Sequence, residues 1–180
     1  MHSADDSQST NGKGRKPVVE VRSMELDDVA NVFHLGEKLF TATSVPNLYR
    51  TWDEFEVVNL YQTDTDTCLV AEVDEVLAGF ALGTVIEKNR SSWTYGYLVW
   101  LGVDPKFQRF GVASRLFRRF HELMLEQGAR IIMVDTEMDN VPALRFFRKM
   151  GFNNAQEHVF LTMNVDDARR RYEKKRPKEP

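Results

Sequence analysis

The spacing of hydrophobic residues near the start of the chain predicts a strand followed by two helices. Apolar and polar residues alternate over residues 18–22, which is the pattern of a strand with one buried face. Over residues 27–40 the apolar residues recur every three or four positions, as on an amphipathic helix. Either Thr51 or Asp53 can cap a second helix, which runs to about Tyr61.

The middle of the chain predicts a meander of antiparallel strands. Three runs rich in β-branched, aromatic and leucine residues lie close together, at residues 68–73, 77–86 and 95–103. The polar pair Asp74-Glu75 leaves room only for a hairpin turn between the first two runs. We therefore expect these strands to be neighbours in one sheet.

The second half of the chain predicts alternating helices and strands. After the turn at Asp104-Pro105, apolar residues repeat at helical spacing until Gly128, a residue type that commonly follows the end of a helix. A short strand, another helix and a last strand follow, at residues 131–136, 141–150 and 158–165. This order predicts a single-domain α/β fold in which helices flank a mixed, mostly antiparallel sheet.

Composition is that of a soluble globular protein. The 180 residues, 42% hydrophobic and 28% charged, suffice for one domain with a full core. We assign that domain to residues 17–165, between a disordered polar tail at residues 1–16 and a charged tail at residues 166–180. The first tail lacks the apolar segment of a signal peptide, and no stretch approaches the ~20 apolar residues of a membrane span. A cytoplasmic location is therefore expected.

Charge and metal-ligating residues argue against further classes of function. A formal net charge of -3 and a pI near 5.8 disfavour binding to nucleic acid or to a membrane through overall charge. The four histidines lack the spacing of a metal site, so no metal is predicted. The single cysteine, Cys68, lies in a predicted strand and is expected to fill core space.

The residues between the third meander strand and the following helix form a candidate phosphate-binding loop. Amides at the start of a helix lack partners within it, and the helix dipole adds partial positive charge there. Gly111 and Ala113 are small enough for a pyrophosphate to approach the backbone, although a plain strand–turn–helix is the alternative if the loop is taken alone. The Gly-Lys-Ser/Thr ending of a Walker loop is missing. The expected anion-binding residues are Gln108, Arg109, Phe110, Gly111, Val112, Ala113 and Ser114.

Two motifs together make this sequence similar to the GNAT superfamily of N-acetyltransferases. The first motif of that superfamily, Gln/Arg-x-x-Gly-x-Gly/Ala after the fourth strand, is matched by Gln108, Gly111 and Ala113. The second motif, an asparagine followed by a helix and a closing Gly-Phe, is matched from Asn140 to Phe152. The resemblance implies an N-acetyltransferase that uses acetyl-CoA as its acyl donor and needs no metal.

The resemblance also implies where the rest of the cofactor lies. The third meander strand would separate from the next strand in the sequence, as a splayed central pair. Its end, formed by Leu101, Gly102 and Val103, would pair its backbone with the pantetheine arm. Asn140 would reach the same arm, and Phe147 would pack beside the thioester.

The expected catalytic groups depart from the pattern of the superfamily. Members commonly place a tyrosine in the last helix as the acid for the departing thiolate, and Phe147 stands there instead. Either Tyr95 or Tyr97 can take that role, or the thiolate leaves unaided, since its thiol has a pKa of about 8.5. The strand of these tyrosines carries no carboxylate. Asp135 is therefore the candidate general base, at the spacing from the second motif where ribosomal-protein N-terminal acetyltransferases carry a glutamate, and Glu137 is the reserve.

Three hypotheses for the acceptor remain open at this point. A peptide N-terminal acetyltransferase and a small-amine acetyltransferase share every motif above, while the missing acid favours a non-catalytic acyl-CoA-binding module. An α-amino group has a pKa near 7.7 to 8.0, against about 10.4 for lysine, so a site with a weak base suits a peptide N-terminus. Little chain follows Phe152 to cover the acceptor, so that side is either open or completed by the second subunit of a homodimer.

Overall fold

One five-stranded sheet with helices on both faces forms the centre of the structure, a computed structural model that describes residues 17–41, 51–87, 93–157, 159, 161, 163–166 and 169–170. In chain order the strands are β1 (Val19–Ser23), β2 (Cys68–Val73), β3 (Val76–Glu87), β4 (Thr94–Val103) and β5 (Ala129–Met133). The helices are α1 (Val29–Leu39), α2 (Glu54–Thr63), α3 (Val112–Glu126) and α4 (Val141–Lys149).

The strands lie in the sheet in the order of the sequence, β1-β2-β3-β4-β5. β1 to β4 are antiparallel to their neighbours, and β5 lies parallel to β4 after the crossover through α3. Asp74 and Glu75, both with positive φ, form the tight turn between β2 and β3. The predicted meander and the predicted mixed α/β sheet are therefore confirmed.

β2 is buried on both faces of the sheet, which explains its nearly unbroken run of apolar residues. Cys68 and Val70 pack with α1 and α2, whereas Leu69 and Ala71 pack with α3. Burial raises the pKa of the Cys68 thiol to about 12. Cys68 is thus a core residue, as predicted, and has no thiolate to act as a nucleophile.

α3 packs one face on the sheet, as its apolar spacing predicts. Its buried residues recur every three or four positions, at Val112, Leu116, Phe117, Phe120, Leu123 and Met124. Gly128 follows the helix with a φ of 74°, in the left-handed region that favours glycine. The helix therefore ends where the sequence predicts.

The N-terminal cap of α2 is Asp53 rather than Thr51, because the Asp53 carboxylate accepts a hydrogen bond of 2.8 Å from the third backbone N–H of the helix. The apolar residues of α2 are not all buried. Phe55 is 75% exposed, whereas Val57 and Leu60 are buried. Apolar residues three apart occur on two sides of this helix, so spacing alone could not select the buried side.

β4 and β5 are paired only along the first part of β4. Their register runs from the first residue of each strand to Tyr97 opposite Met133, whereas β4 continues to Val103. A bulge interrupts the register with β3 two residues beyond Tyr97, where β4 carries one residue more than β3, at Val99. The predicted splay is confirmed, but the separated pair lies at the edge of the described sheet rather than in its centre.

The boundaries of β5 differ from the predicted residues 131–136. The strand begins directly after Gly128, because Ala129 is already buried and pairs with Thr94. It ends at Met133, where the pairing with β4 also ends. Asp135 consequently lies in the loop after β5 instead of within the strand.

A last strand at residues 158–165 is not found among the described residues of that segment. Val159, Leu161 and Met163 are exposed and belong to no strand, and Val165 lies in a short helical turn. Alternating apolar residues predict a strand only where a neighbouring strand and a covered face are available. His158, Phe160 and Thr162 lie outside the described residues.

Several other predictions concern segments outside the described residues. These are the disordered tail at residues 1–16 and most of the charged tail at residues 166–180. Among the helices that the structure does describe, none is both long and apolar enough to cross a lipid bilayer.

Candidate active site

The loop between β4 and α3 leaves several backbone amides without a hydrogen-bond acceptor. Gly111 forms the N-terminal cap of α3 with a φ of 79° and without a side-chain cap, and Arg109 also has a positive φ, of 77°. A Cβ atom added at Gly111 would meet nothing within 4 Å. Within the described part of the chain, no acceptor is hydrogen-bonded to the amides of Arg109, Gly111, Val112, Ala113 and Ser114.

Two of the seven predicted anion-binding residues already use their amides within the loop. The N–H of Gln108 donates to the Pro105 carbonyl at 3.4 Å, and the N–H of Phe110 donates to the Phe107 carbonyl at 3.3 Å. These bonds belong to the tight turns that let the chain reverse from strand to helix. The prediction that the amides of Gln108 and Phe110 hold an anion is therefore not supported by this geometry.

The remaining amides are donors of the kind that binds phosphate groups. They combine the positive end of the α3 dipole with N–H groups that have no acceptor, although Val112 itself is buried. The empty space beside Gly111 lets an anion approach the backbone closely. The pyrophosphate of acetyl-CoA fits these residues on both counts.

The end of β4 borders the gap that opens where β5 departs. The β4–β5 register does not reach Leu101, Gly102 or Val103, which are the residues predicted to flank the pantetheine arm. Gly102 cannot be larger, since a Cβ atom there would lie 2.8 Å from the Phe80 ring and 2.9 Å from Leu39. β4 is thus held tightly against α1 at the same level where it lacks β5 as a neighbour.

Tyr97 and Asp135 meet at the mouth of this gap. Tyr97 is the last β4 residue paired with β5, and its hydroxyl donates a short hydrogen bond to the Asp135 carboxylate. Asp135 is exposed, two residues beyond the end of β5. A Cβ atom at the neighbouring Gly96 would point at Met124 of α3, so Tyr97 lies on the opposite face, toward α1 and α2. The structure therefore brings two of the predicted catalytic residues together.

The other two candidate catalytic residues are Tyr95, which lies in β4, and Glu137, which lies beyond the end of β5. Tyr95 shares the face of Tyr97 by strand alternation and pairs across β4–β5 with Ile131. Glu137, the reserve base, lies beyond the end of β5 at Met133, and its carbonyl accepts the Asn140 N–H in a turn at 3.0 Å. Strand alternation therefore cannot place its side chain on the same face as that of Asp135, because there is no strand there.

Asn140 and Phe147 both have structural partners in α4. The Asn140 side-chain oxygen caps the helix by accepting the Ala143 N–H at 3.2 Å. Phe147 is half-buried, with its ring centroid 5.3 Å from that of Phe146 and 5.4 Å from that of Phe152. The predicted contacts of both residues with the cofactor stay predictions.

Sequence reasoning missed two polar contacts on the α1/α2 face of the sheet. The Trp100 indole N–H donates to the Glu56 carboxylate at 3.0 Å, which ties α2 to β4. Thr84, the cross-strand partner of Tyr97, donates its hydroxyl to the Asp64 carboxylate at the end of α2. Neither contact leaves a signal in the sequence, because each joins residues 20 or more positions apart.

Comparison with protein families and curated proteins gives matches over the same region. The model of the acetyltransferase (GNAT) family matches residues 35–152. A stretch of 103 residues, 57% of this chain, is 27% identical to N-alpha-acetyltransferase 30 of Xenopus laevis, of which it covers 37%. The human protein of that name matches with the same identity over 28% of its length. The chain thus corresponds to well under half of these relatives.

Solved structures with a similar fold include an Ard1 protein and an aminoglycoside N-acetyltransferase. Ard1 from Thermoplasma volcanium superposes with a TM-score of 0.63 at 22% identity, over 77% of this chain and 84% of that one. An aminoglycoside N-acetyltransferase in complex with CoA superposes with a TM-score of 0.66 at 20% identity, over 83% and 97% of the two chains. At these identities the superpositions establish the fold.

Proposed function

The chain belongs to the acetyltransferase (GNAT) family, and from that premise we propose that it transfers an acetyl group from acetyl-CoA to a primary amine. The acceptor that we propose is the α-amino group of a peptide or protein. The observation that carries the proposal is the Tyr97–Asp135 pair, because Tyr97 lies on the strand that leads into a loop of amides without an acceptor. A proton acceptor and an anion-binding loop at the two ends of one strand are what acyl transfer from a CoA thioester to an amine requires.

In this proposal the cofactor is held mainly by backbone. The first-turn amides of α3, with that of Arg109, bind the pyrophosphate, and the rigid end of β4 from Leu101 to Val103 lines the pantetheine arm. Backbone donors fixed by a helix lose little freedom when the anion binds, so they favour binding without many cationic side chains. The complex of an aminoglycoside N-acetyltransferase with CoA supports the choice of cofactor at the level of the fold.

When bound, acetyl-CoA supplies a thioester carbon that the amine attacks, so that a C–N bond forms and the C–S bond breaks. Tyr97 already directs its proton at Asp135, and its oxygen therefore keeps lone pairs for an incoming ammonium. The ammonium proton passes to Tyr97 while the Tyr97 proton passes to Asp135. Solvent then takes that proton from Asp135. The nitrogen loses its second proton to solvent as the C–N bond forms, and solvent supplies one proton to the thiolate, a good leaving group with a thiol pKa of about 8.5, so that one proton is released overall.

The acceptor class follows from the strength of this base. Deprotonating lysine near pH 7 costs roughly 3 kcal/mol more than deprotonating an α-amino group, at 1.36 kcal/mol per pKa unit. An exposed carboxylate reached through a phenol is a weak base and suits the more acidic ammonium. The names of the curated relatives, N-alpha-acetyltransferase 30, point to the same acceptor.

A small amine is the second candidate acceptor, and the aminoglycoside N-acetyltransferases among the structures of similar fold favour it. A non-catalytic acyl-CoA-binding module is the third candidate, favoured by Phe147 in place of a tyrosine acid. The first two candidates differ in the amine that is consumed, and the third consumes none.

The proposal is tested by thiol release from acetyl-CoA with a panel of amines, followed by mass spectrometry of the products. The panel contains a peptide with a free N-terminus, an N-blocked lysine peptide, a polyamine and an aminoglycoside. We expect amine-dependent thiol release, greatest with the free N-terminus. Binding of acetyl-CoA without acetylation of any amine would instead identify a binding module.

A further inference from the structure

Among the described residues, β1 is the outermost strand at the edge of the sheet opposite to β5, and its hydrogen bonds to β2 show which backbone groups face outward. The Met24 N–H donates to the Cys68 carbonyl at 2.9 Å, and the Asp74 N–H donates to the Val18 carbonyl at 3.4 Å. Even-numbered residues therefore bond to β2, because directly opposed residues of an antiparallel pair alternate between bonded and non-bonded positions. The N–H and C=O groups of Val19, Val21 and Ser23 therefore point away from β2, and of these the Ser23 carbonyl already accepts a hydrogen bond from Arg22 at 3.2 Å.

A groove of about 190 Å³ runs between this edge and α3. The side chains of Val19 and Val21 form its apolar part, and α3 contributes charged residues, namely Arg115, Arg118, Arg119 and Glu122. The Arg115 guanidinium approaches the outward carbonyl of Val19 at 3.4 Å. The groove thus places cationic side chains directly beside the outward-facing backbone of an edge strand.

The charge of the groove is positive because its arginines outnumber its carboxylates. Arg119 lies 3.4 Å from both Glu122 and Glu126, so its charge is balanced locally. Arg115 and Arg118 are exposed, and within the described part of the chain neither forms an ion pair with a carboxylate. The Arg118 guanidinium, and the N–H groups of Arg115 that do not contact the Val19 carbonyl, are therefore available to an anionic partner.

We propose that this edge is a docking site for an extended acidic peptide segment of a partner protein. The segment adds a strand to β1 through the outward N–H groups of Val19, Val21 and Ser23 and the Val21 carbonyl, as in other cases of strand addition to a sheet edge. Its side chains alternate between the two faces of the sheet, so that every second one lies against Arg115 and Arg118. Carboxylates at those positions meet the guanidinium groups.

The opposite face of β1 limits the acidic residues to alternate positions. There Glu20 is exposed, and Arg22 is already engaged by Asp28 at 2.6 Å and by Glu72 at 2.5 Å. Acidic side chains on this face would meet a like charge, whereas neutral ones would not. The sequence that fits the edge therefore alternates acidic and neutral residues.

A peptide fits this edge better than a nucleic acid does. Phosphates could contact the arginines, but they would leave the outward N–H and C=O groups of β1 unused. A formal net charge of -3 also opposes a polyanion that covers a larger surface. The edge lies across the sheet from Tyr97 and Asp135, so a docked segment leaves the proposed active site accessible.

The test uses the full chain and a seven-residue peptide of alternating threonine and glutamate. The peptide is acetylated at its N-terminus and amidated at its C-terminus, so that it offers no amine for transfer. Calorimetric titration should show binding that weakens with added salt. A threonine–lysine peptide of the same length, and a glutamate peptide N-methylated at alternate residues, should both bind at least about tenfold more weakly.

Charge reversal then identifies the groove. Arg118→Glu should weaken binding of the glutamate peptide about tenfold or more and strengthen binding of the lysine peptide. The matched control is Arg130→Glu, which reverses an exposed arginine at the other edge of the sheet and should change neither affinity. Acetyl transfer by Arg118→Glu should equal that of the unaltered chain, which separates this test from the proposed function.

Three results would overturn the docking site. The first is absence of binding by the glutamate peptide. The second is equal binding of the N-methylated peptide, which would show that the strand edge is not used. The third is tight binding of a single-stranded oligonucleotide by the unaltered chain, with loss of that binding in Arg118→Glu and no binding of the peptide. This result would show that the arginines bind a nucleic acid.

Discussion

The hydroxyl of Tyr97 donates a hydrogen bond to the carboxylate of Asp135 across the point where β4 and β5 part. One residue of the pair is fixed by the strand ladder, and the other lies in the loop after β5. The bond therefore fastens a loop residue, Asp135, to a strand residue, Tyr97, and holds the Asp135 carboxylate at the mouth of the gap. This relationship underlies the proposed proton transfer.

Asp135→Asn should impair acetyl transfer most at low pH. The amide oxygen of asparagine can still accept the Tyr97 hydrogen bond but cannot take up a proton. Loss of a general base typically costs 10²- to 10⁴-fold, and the loss should shrink toward pH 9 as the α-amine becomes neutral by itself. The measurement is kcat/KM from pH 6 to pH 9 for a peptide with a free N-terminus.

Tyr97→Phe is the partner variant for this experiment. If Tyr97 and Asp135 act as one unit, the double variant should be no worse than the poorer single variant. Additive losses, or an Asp135→Asn profile equal to that of the unaltered protein at every pH, would show that the pair does not transfer the proton.

Gly111→Val should abolish binding of acetyl-CoA. A side chain at Gly111 would project into the open space that the anion needs, beside the amides without an acceptor. Gly128→Val is a matched control, because Gly128 also has a left-handed φ, of 74°, with nothing within 4 Å, but lies at the opposite end of α3. Thermal unfolding with and without acetyl-CoA measures the binding, since a ligand of the folded state raises the midpoint.

Both glycine variants should lower the midpoint of the free protein by similar amounts, because both force valine into the same strained region. Only Gly128→Val should keep the stabilisation by acetyl-CoA. A full ligand-induced shift in Gly111→Val would place the pyrophosphate elsewhere.

Phe147→Tyr should maintain or raise turnover without loss of stability. Phe147 is half-buried against Phe146 and Phe152, so the ring can keep these contacts while an added hydroxyl reaches the cleft or solvent. Steady-state kcat and the thermal midpoint are the two readouts. Phe147→Ala is the control for packing and should lower the midpoint. A fall in kcat for Phe147→Tyr at an unchanged midpoint would show that the cleft tolerates no hydroxyl there.

Asp28→Asn should lower stability at neutral pH but not at low pH. Arg22 binds Asp28 through two hydrogen bonds of 2.6 and 2.9 Å, and this holds the carboxyl pKa below its ordinary value of about 3.9. A depressed folded-state pKa contributes stability that is complete above the unfolded pKa and is lost as the pH falls through the folded one.

The expected loss at pH 7 is about 1 kcal/mol in the free energy of unfolding, and it should diminish below about pH 4. Urea unfolding at a series of pH values measures it. Glu37→Gln, which alters the exposed contact between His34 and Glu37, should change little at any pH. A constant deficit for Asp28→Asn down to pH 2.5 would mean that packing, not charge, is lost.

Much of the fold follows from local sequence, since helix caps and strand alternation are local properties. Asp53 caps α2 and Gly111 opens α3 where residue type predicts it. Alternation could not show that β5 ends at Met133, because that end depends on where β4 parts from it. The burial of Val57 instead of Phe55 depends in the same way on which side of α2 meets the sheet.

The candidate site could be predicted in its residues but not in its geometry. Tyr97 and Asp135 were each expected to serve catalysis, yet their contact spans 38 positions and no local pattern encodes it. The turn that engages the amides of Gln108 and Phe110 likewise depends on backbone dihedral angles. Arg109 adopts a left-handed conformation there, which its residue type does not predict.

The most direct test of the proposed function is the rate of acetylation of two matched peptides near pH 7. One peptide has a free N-terminus and no lysine, and the other has a blocked N-terminus and a single lysine in the same sequence. Thiol release gives the rates, and mass spectrometry locates the acetyl group. We predict faster acetylation of the α-amine at pH 7, with the lysine peptide gaining as the pH rises toward 10. Preference for lysine at pH 7, or no acetylation of either peptide, would contradict the proposed acceptor.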